Sequence, residues 1–457
     1  MARAPLPLAC SVSTEPLSAE PLSAEPLSAE PLSTEPLSAE PAATATRPVT
    51  PRGLGRLQVA LAIGALSLGG FGIGVSEFVT MGLLPEIARG VDVDIPSAGH
   101  LVSAYALGVV VGAPVIATTA ARLPRRALLL GLLAAFLAGT VLTVLAPGQG
   151  TLLVARFLAG LPHGAYFGVA SLVAASLVAP GLKGRAVSAV MLGLAAANLA
   201  GVPAATWLGQ QLGWRSAFVA VAVVAVLTAV AVVAVVPRTP GTPEATVRTE
   251  LAALRLPQVW LTIGAAVFGF GGVFALYAYI APITTEVTGA GAGFVPVVLL
   301  AFGIGGVLGT LLGGKLADVA LFRSLVGAMV ATGLLLGLMG VAALHPVSLL
   351  VVACLVSVVT SVLVVTLQLR LMEVAGDAEL IGAAAGHSAL NAANALGALL
   401  GGSVIAAGLG YRATSPVGVA LAVVGLGVLA VSAVLRRREA RQLQRPATLP
   451  PRATADA

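Results

Sequence analysis

Between Leu57 and Leu435 the chain is a succession of apolar stretches, each close to the ~20 residues an α-helix needs to cross ~30 Å of hydrocarbon. They run 58–84, 98–119, 127–146, 151–175, 185–209, 216–236, 258–282, 294–314, 324–344, 348–369, 381–409 and 416–435. This pattern predicts an all-α integral membrane protein with twelve transmembrane helices. Ten-residue segments of alternating polar and apolar positions do not occur, so a spanning barrel is excluded and backbone groups must be satisfied inside helices. The long polar interruption holds Pro237, Pro240, Pro243, Glu244, Arg248, Glu250 and Arg255. It reads as a cytoplasmic linker, 237–257, between six-helix bundles at 57–236 and 258–435.

Outside the apolar region, residues 14–41 repeat the pentapeptide Glu-Pro-Leu-Ser-Ala. Regular prolines block helix and the apolar content is too small to bury, so 1–56 is expected to be a disordered or polyproline-like cytoplasmic tail. It lacks the apolar core of a signal peptide, so the first apolar stretch is expected to stay as a membrane anchor. Residues 436–457 form a basic cytoplasmic tail.

Composition removes several function classes. The chain is 58% hydrophobic and 10% charged with mean hydropathy +1.00, which excludes a soluble enzyme. Cys10 and Cys354 cannot supply a disulfide framework or a thiolate metal site, and no Gly-Lys-Ser/Thr phosphate loop occurs. No catalytic residue, metal or cofactor is expected, and ATP is not the energy source. A net charge of +6 would suggest nucleic acid in a soluble protein; here Lys and Arg report topology, and no nucleic-acid partner is expected. With the N-terminus inside, 21 of the 25 basic residues fall on the cytoplasmic side, Arg89, Arg215 and Arg412 outside, and Arg156 within a span. Lys and Arg are retained on the cytoplasmic face during insertion, so both termini are expected there, in the inner cell membrane.

The two halves repeat at a constant offset of 197. Pro85 corresponds to Pro282, Ala121 to Asp318, and Leu212-Gly213-Trp214-Arg215 to Leu409-Gly410-Tyr411-Arg412. Parallel repeats of this kind place a midplane site between two pseudo-symmetric bundles that rock about it.

Several segments carry a family resemblance. Gly112 to Arg126, with Arg122, Arg125 and Arg126, and its counterpart Gly313-Gly314-Lys315-Leu316-Ala317-Asp318 followed by Arg323, resemble the loop motif of the major facilitator superfamily. Ser76-Glu77-Phe78, Arg156 to Gly168, Asn198-Leu-Ala-Gly201-Val-Pro203 and His387 to Gly397 resemble its drug:proton antiporter branch, with arabinose-efflux-like permeases and actinomycete chloramphenicol-resistance transporters. The resemblance covers essentially 57–435. It implies alternating access and a fourth-helix arginine linked to proton coupling. Ala121 stands where the family usually has Asp, so a charge-relay gate rests on Asp318. Arg122, Arg323, Gly201 and Pro203 complete the gating candidates, although Val202 before Pro203 departs from the fuller Gly-Pro antiporter signature.

Glu77 is the carboxylate placed well inside a span of the first half, where an ionised group costs roughly 2.5–3.5 kcal/mol. It is the candidate proton carrier, against an ion pair or a water-facing end residue. Arg156 is a plausible partner: counted inward, Glu77 lies roughly 12 Å deep and Arg156 roughly 9 Å. It could equally cap neighbouring carbonyls. His163, seven residues on, shares its helix face and either relays a proton or bonds across helices. His387, Asn391 and Asn394 fall at i, i+4 and i+7, one polar stripe that binds substrate or glues helices, and Asn198 carries the same two readings. Phe167, Phe270, Tyr277 and Tyr279 are candidate cavity walls.

These residues point to a proton-coupled exporter of small amphipathic molecules, multidrug or chloramphenicol-type, whose partners are substrate, protons and lipid and which works as a monomer. A sugar or nucleoside exporter is the alternative, since the stripe is polar and the cavity lacks a second carboxylate for cations. A non-transporting receptor or scaffold using the repeat tail is the remote one.

Overall fold

The computed structural model describes residues 55–119, 123–238, 255–375 and 379–443. Most of the repeat tail, most of the linker, Arg122 and the end of the basic tail lie outside the described residues.

Every long apolar stretch is helical: α1 (Arg56–Gly82), α2 (Ile95–Thr119), α3 (Arg125–Leu145), α4 (Gln149–Gly160 and His163–Ser176), α5 (Lys183–Ala196 and Val202–Leu212), α6 (Trp214–Val235) and α7 (Pro257–Tyr277). A 48-residue run, Val295–Ala342, changes direction at Ala320, where φ −162° and ψ 78° are extended rather than helical, and so holds two spans, α8 (295–319) and α9 (321–342). α10 (Pro346–Ala375), α11 (Glu379–Val404) and α12 (Thr414–Leu443) complete the twelve.

Two expected spans end early for the same reason. α1 stops at Gly82, Leu83 leaves the helical region, and a short helix, Leu84–Gly90, restarts with Pro85 in its first turn. α7 stops at Tyr277 and Tyr279 leaves the helical region before Ile280–Pro282. A proline has no N–H to give the preceding turn and crowds it, so both first helices break just before theirs. Conversely α10 runs six residues past its expected end, which brings Arg370 into the helix with 3% exposure. Arg156 is therefore not the sole basic residue inside a span. The polar Gln368 and Arg370 end the apolar run in sequence, while the helix continues for more than another turn.

The offset of 197 is realised in packing. A side chain at Gly108 would strike the Phe157 carbonyl and one at Gly112 the Leu161 carbonyl; Gly305 and Gly309 stand in the same relation to Cys354 and Val358. Each partner pair is 197 apart, so α2 packs on α4 as α8 packs on α10, with small residues admitting backbone to backbone. Gly213 and Gly410 both take positive φ, 87° and 75°. The arginines that follow them close the ends of other helices: Arg215 donates to the carbonyls of Val144 and Ala146, both at 3.0 Å, and Arg412 to that of Gly340 at 2.8 Å.

Apolar cores are unevenly shared. The first half has its own around Leu66, Phe136, Tyr166 and Phe218, and the second has one around Met329, Leu363, Leu367 and Leu429. The core that joins the halves sits at the end carrying Trp214, where Met81, Leu84, Val102 and Val202 meet Tyr277, Tyr279, Val298 and Leu299. At the opposite, Arg125 end the halves share no apolar core among the described residues.

Candidate functional site

The lower part of that joint core is polar. Glu77, in the last turns of α1, is 6% exposed, and groups from both halves reach it. Asn394 of α11 donates its Nδ2 to Glu77 Oε1 at 3.3 Å. His163 Nδ1 of α4 lies 3.9 Å from Oε2 and 3.1 Å from the Tyr105 hydroxyl of α2. Groups of α4 and α11, one from each half, thus meet on one carboxylate, with Tyr105 of α2 behind His163, a placement only a protein interior can offer an acid at this depth.

Arg156 does not pair with Glu77 as depth counting suggested. It donates Nη1 to the Ser76 hydroxyl at 3.1 Å and Nη2 to the Ser76 carbonyl at 2.9 Å. Its guanidinium lies 4.3 Å from the Tyr105 ring centroid and 5.5 Å from that of Phe218, within cation–π range of both. No salt bridge joins Arg156 to Glu77; it fixes the backbone one residue away, and its charge remains the near compensation for the acid. Although Pro162 divides α4, Arg156 and His163 still face the same site.

The polar stripe of α11 also faces inward. The half-buried His387 ring lies parallel to Phe167 at 6.1 Å, 6° between planes, linking the halves again. Asn391 donates to its own helix at His387, and the side-chain oxygens of both Asn391 and Asn394 are buried without a partner. Toward the Trp214 end an aromatic group spans the seam: Phe78 of α1 stacks on Phe274 and meets Tyr277 edge-on, Tyr277 stacks on Phe302 at 4.3 Å, and Phe270 packs edge-on to Phe274. Of the proposed walls, Phe167, Phe270 and Tyr277 border this region. Tyr279 does not: it is fully buried beyond it, donating to the Ala398 carbonyl and packed on Gly99 and Gly402, where it plugs α2 against α11.

The remaining candidates lie elsewhere. Asn198 sits in a π turn of α5 and donates to Leu194 of its own helix at 3.1 Å. Gly201 and Pro203 are buried: Gly201 admits Val75 and Phe71 of α1, while the backbone of Asn198 and Leu199 abuts Gly303 of α8, so this segment packs both on its own half and on the other. Asp318 and Arg323 are exposed at the α8–α9 turn and form no salt bridge among the described residues. The ion pair at that end is instead Arg370 Nη1 with Glu373 at 2.8 Å, with Arg436 of α12 3.9 Å from the same carboxylate. No group of three or more His, Cys, Asp or Glu able to hold a metal occurs among the described residues.

Sequence reading missed Tyr105, Phe78, Phe274 and Phe302 as site members, and left Ser76 and Ser103 without roles. A usable signal existed for Tyr105: a phenol within an apolar span needs a polar partner. Ser103, two residues before it, donates across the halves to the Ala395 carbonyl at 3.1 Å.

A twelve-helix membrane protein built from two repeats, with a polar and aromatic seam between them, is a transporter of the alternating-repeat class. The Major Facilitator Superfamily model matches residues 66–390. The chain belongs to the Major Facilitator Superfamily. It is 41% identical over 374 residues to the inner membrane transport protein YdhP of Escherichia coli strain K12, spanning 82% of this chain and 96% of that one. It is 34% identical over 365 residues to AraJ of E. coli strain K12 (76% and 89%), and 33% identical over 341 residues to a chloramphenicol resistance protein of Streptomyces lividans (73% and 86%). Among solved structures, it shares its fold with a bacterial homolog of the human lysosomal transporter Spinster, crystallised inward-facing and unoccupied, at TM-score 0.61 and 17% identity, covering 86% of this chain and all of that one.

Proposed function

We propose that the protein is a proton-coupled exporter of small amphipathic molecules, of the multidrug or chloramphenicol type, acting by alternating access. The carrying observation is Glu77: one buried carboxylate at the seam, touched from α4 of one half and α11 of the other. An acid in that position changes charge where the halves meet, so proton occupancy bears on the same contacts that must break for the site to change sides. Arg156 holds Glu77's neighbour in place, and His163 with Tyr105 offers a route for the proton.

The inner membrane is the location, with the Arg125 end and both termini in the cytoplasm. The halves share their core at the other end, so the arrangement is the one that faces inward, ready to load from the cytoplasm. Similarity to a chloramphenicol resistance protein supports export of small drugs. Each chain carries a complete seam and is sufficient as a monomer.

The test is drug efflux driven by an imposed pH gradient in vesicles. Glu77→Gln abolishes the gradient-dependent part, and pH-dependent efflux persisting in that variant overturns the reading. Export of a sugar or nucleoside is the second reading, favoured by the unpartnered Asn391 and Asn394 oxygens, which suit hydroxyl or amine donors. A panel of chloramphenicol, pentoses and nucleosides in a pump-deficient host separates the two.

A further inference from the structure

Asn394 is the group through which the second half touches the acid of the first. It is 1% exposed, its nitrogen donates to Glu77, and its oxygen is buried with no partner. Nothing else on α11 reaches that carboxylate among the described residues: Asn391 is spent on its own helix, and His387 stacks on Phe167. Glu77 is otherwise faced by Tyr105 of α2, Arg156 and His163 of α4, and Tyr277 of α7. Among these, the groups of α2 and α4 belong to Glu77's own half and move with it, whereas Tyr277 lies across the seam with no hydrogen bond to it.

We infer that the Asn394–Glu77 hydrogen bond is a lock against slippage: it holds the empty, ionised carrier closed at the Trp214 end until a proton discharges the acid or a substrate displaces the amide. The inference rests on Glu77 being the proton site. A hydrogen bond to an ionised carboxylate is about twice as strong as a neutral one, so the lock is tightest when Glu77 carries neither proton nor substrate. Protonation forms one O–H bond on Glu77 and removes the charge. With the proton on Oε2 the amide nitrogen still donates to Oε1, and with the proton on Oε1 the amide turns over and its oxygen accepts that O–H; either way the bond is neutral and holds the halves less firmly. A substrate donor reaching the same oxygen competes in the same way. The proton is given up intact to water when the site opens to the other side.

An exchanger must forbid one step, the return of the carrier with nothing bound. Without the lock, protonated carriers cross inward and empty ones return, and the pH gradient runs down with no substrate present. The experiment is therefore a proton-leak measurement in proteoliposomes holding an imposed pH gradient and a trapped pH dye, without drug. Wild type holds the gradient, and Asn394→Leu dissipates it about tenfold faster, the scale expected for losing one charge-assisted bond. The milder Asn394→Ser, too short to reach Glu77, gives the same direction if the leucine variant inserts poorly. The double variant Glu77→Gln/Asn394→Leu is tight again, because the leak needs a proton carrier. A leak that survives in the double variant is damage to the barrier and overturns the lock, as does a tight and fully coupled Asn394→Leu or Asn394→Ser. If Glu77→Gln alone keeps gradient-driven efflux, the proton-site reading itself fails; if it loses efflux while the Asn394 variants stay tight, only the lock fails.

Discussion

Arg156 shows how a buried charge is held without a carboxylate contact. Its fork satisfies two atoms of Ser76 and its face rests on Tyr105, so the planar shape of the group matters as much as its charge. A lysine would keep the charge but present a compact ammonium that cannot span the Ser76 hydroxyl and carbonyl together while lying flat on a ring. Arg156→Lys is expected to lose about 1.5–3 kcal/mol of local interaction. The ordering of Ser76 and Glu77 goes with it, and maximal efflux falls about tenfold or more while the protein still inserts. Measuring efflux beside thermal unfolding checks this. A lysine variant that transports at the wild-type rate would mean that charge alone suffices.

At the scale of elements, helix ends and helix seams make separate demands. Asp94 caps α2: its carboxylate accepts the Ser97 N–H at 2.9 Å, and its carbonyl takes the Ala98 N–H at 3.0 Å. The Ser97 hydroxyl and then its N–H hold the Asp94 carboxyl below its usual range. A depressed folded pKa contributes stability above the unfolded value, about 3.9, and loses it as pH falls through the folded one. Asp94→Ala should therefore cost about 0.5–1 kcal/mol at pH 7, the low side because the group is exposed and screened. The difference in melting temperature from wild type should shrink as pH drops toward 3, whereas Asp94→Asn, which keeps an acceptor, should show little of either. The α5–α8 seam asks instead for the absence of a side chain. A Cβ at Gly303 would stand 2.5 Å from the Asn198 carbonyl oxygen and 2.7 Å from Leu199 Cα, both backbone of the π turn. Gly303→Val must push the halves apart where they now close, so it is expected to favour the state open at the Trp214 end. Raised labelling of a cysteine placed at Gln210, in a background with Cys10 and Cys354 replaced, would report it. Gly327→Val, exposed on α9 with nothing within 4 Å, is the control that should change nothing.

At the scale of the molecule, what could be read from the sequence was whatever repeats or must be apolar. Twelve spans, the offset of 197 and the depth of Glu77 all follow from hydropathy and spacing, because the bilayer enforces helices and length. Side-chain partners between helices did not follow. Arg156 and Glu77 agree in depth, yet rotation about the helix axes turns the guanidinium onto Ser76, and depth says nothing about rotation. Tyr279 looked like a cavity wall until the break before Pro282 carried it into the closed end. Orientation brings both kinds of information together. The sequence places three basic residues on the side opposite the 21 expected in the cytoplasm, and the structure gives each a local contact: Arg215 and Arg412 close the ends of α3 and α9, and Arg89 lies 3.5 Å from Glu86. Basic residues at the other end, such as Arg126 on the Val233 carbonyl and Arg370 on Glu373, are engaged in the same way, so the orientation expected from the sequence rests on the raw count. Cysteines at Gly291 and Gly181, two exposed positions with open space around them at opposite ends, test this directly. In intact cells a membrane-impermeant maleimide should label Gly291→Cys and leave Gly181→Cys untouched until the membrane is opened. The reverse pattern would invert the carrier, and with it the export direction that an inward-facing seam supports.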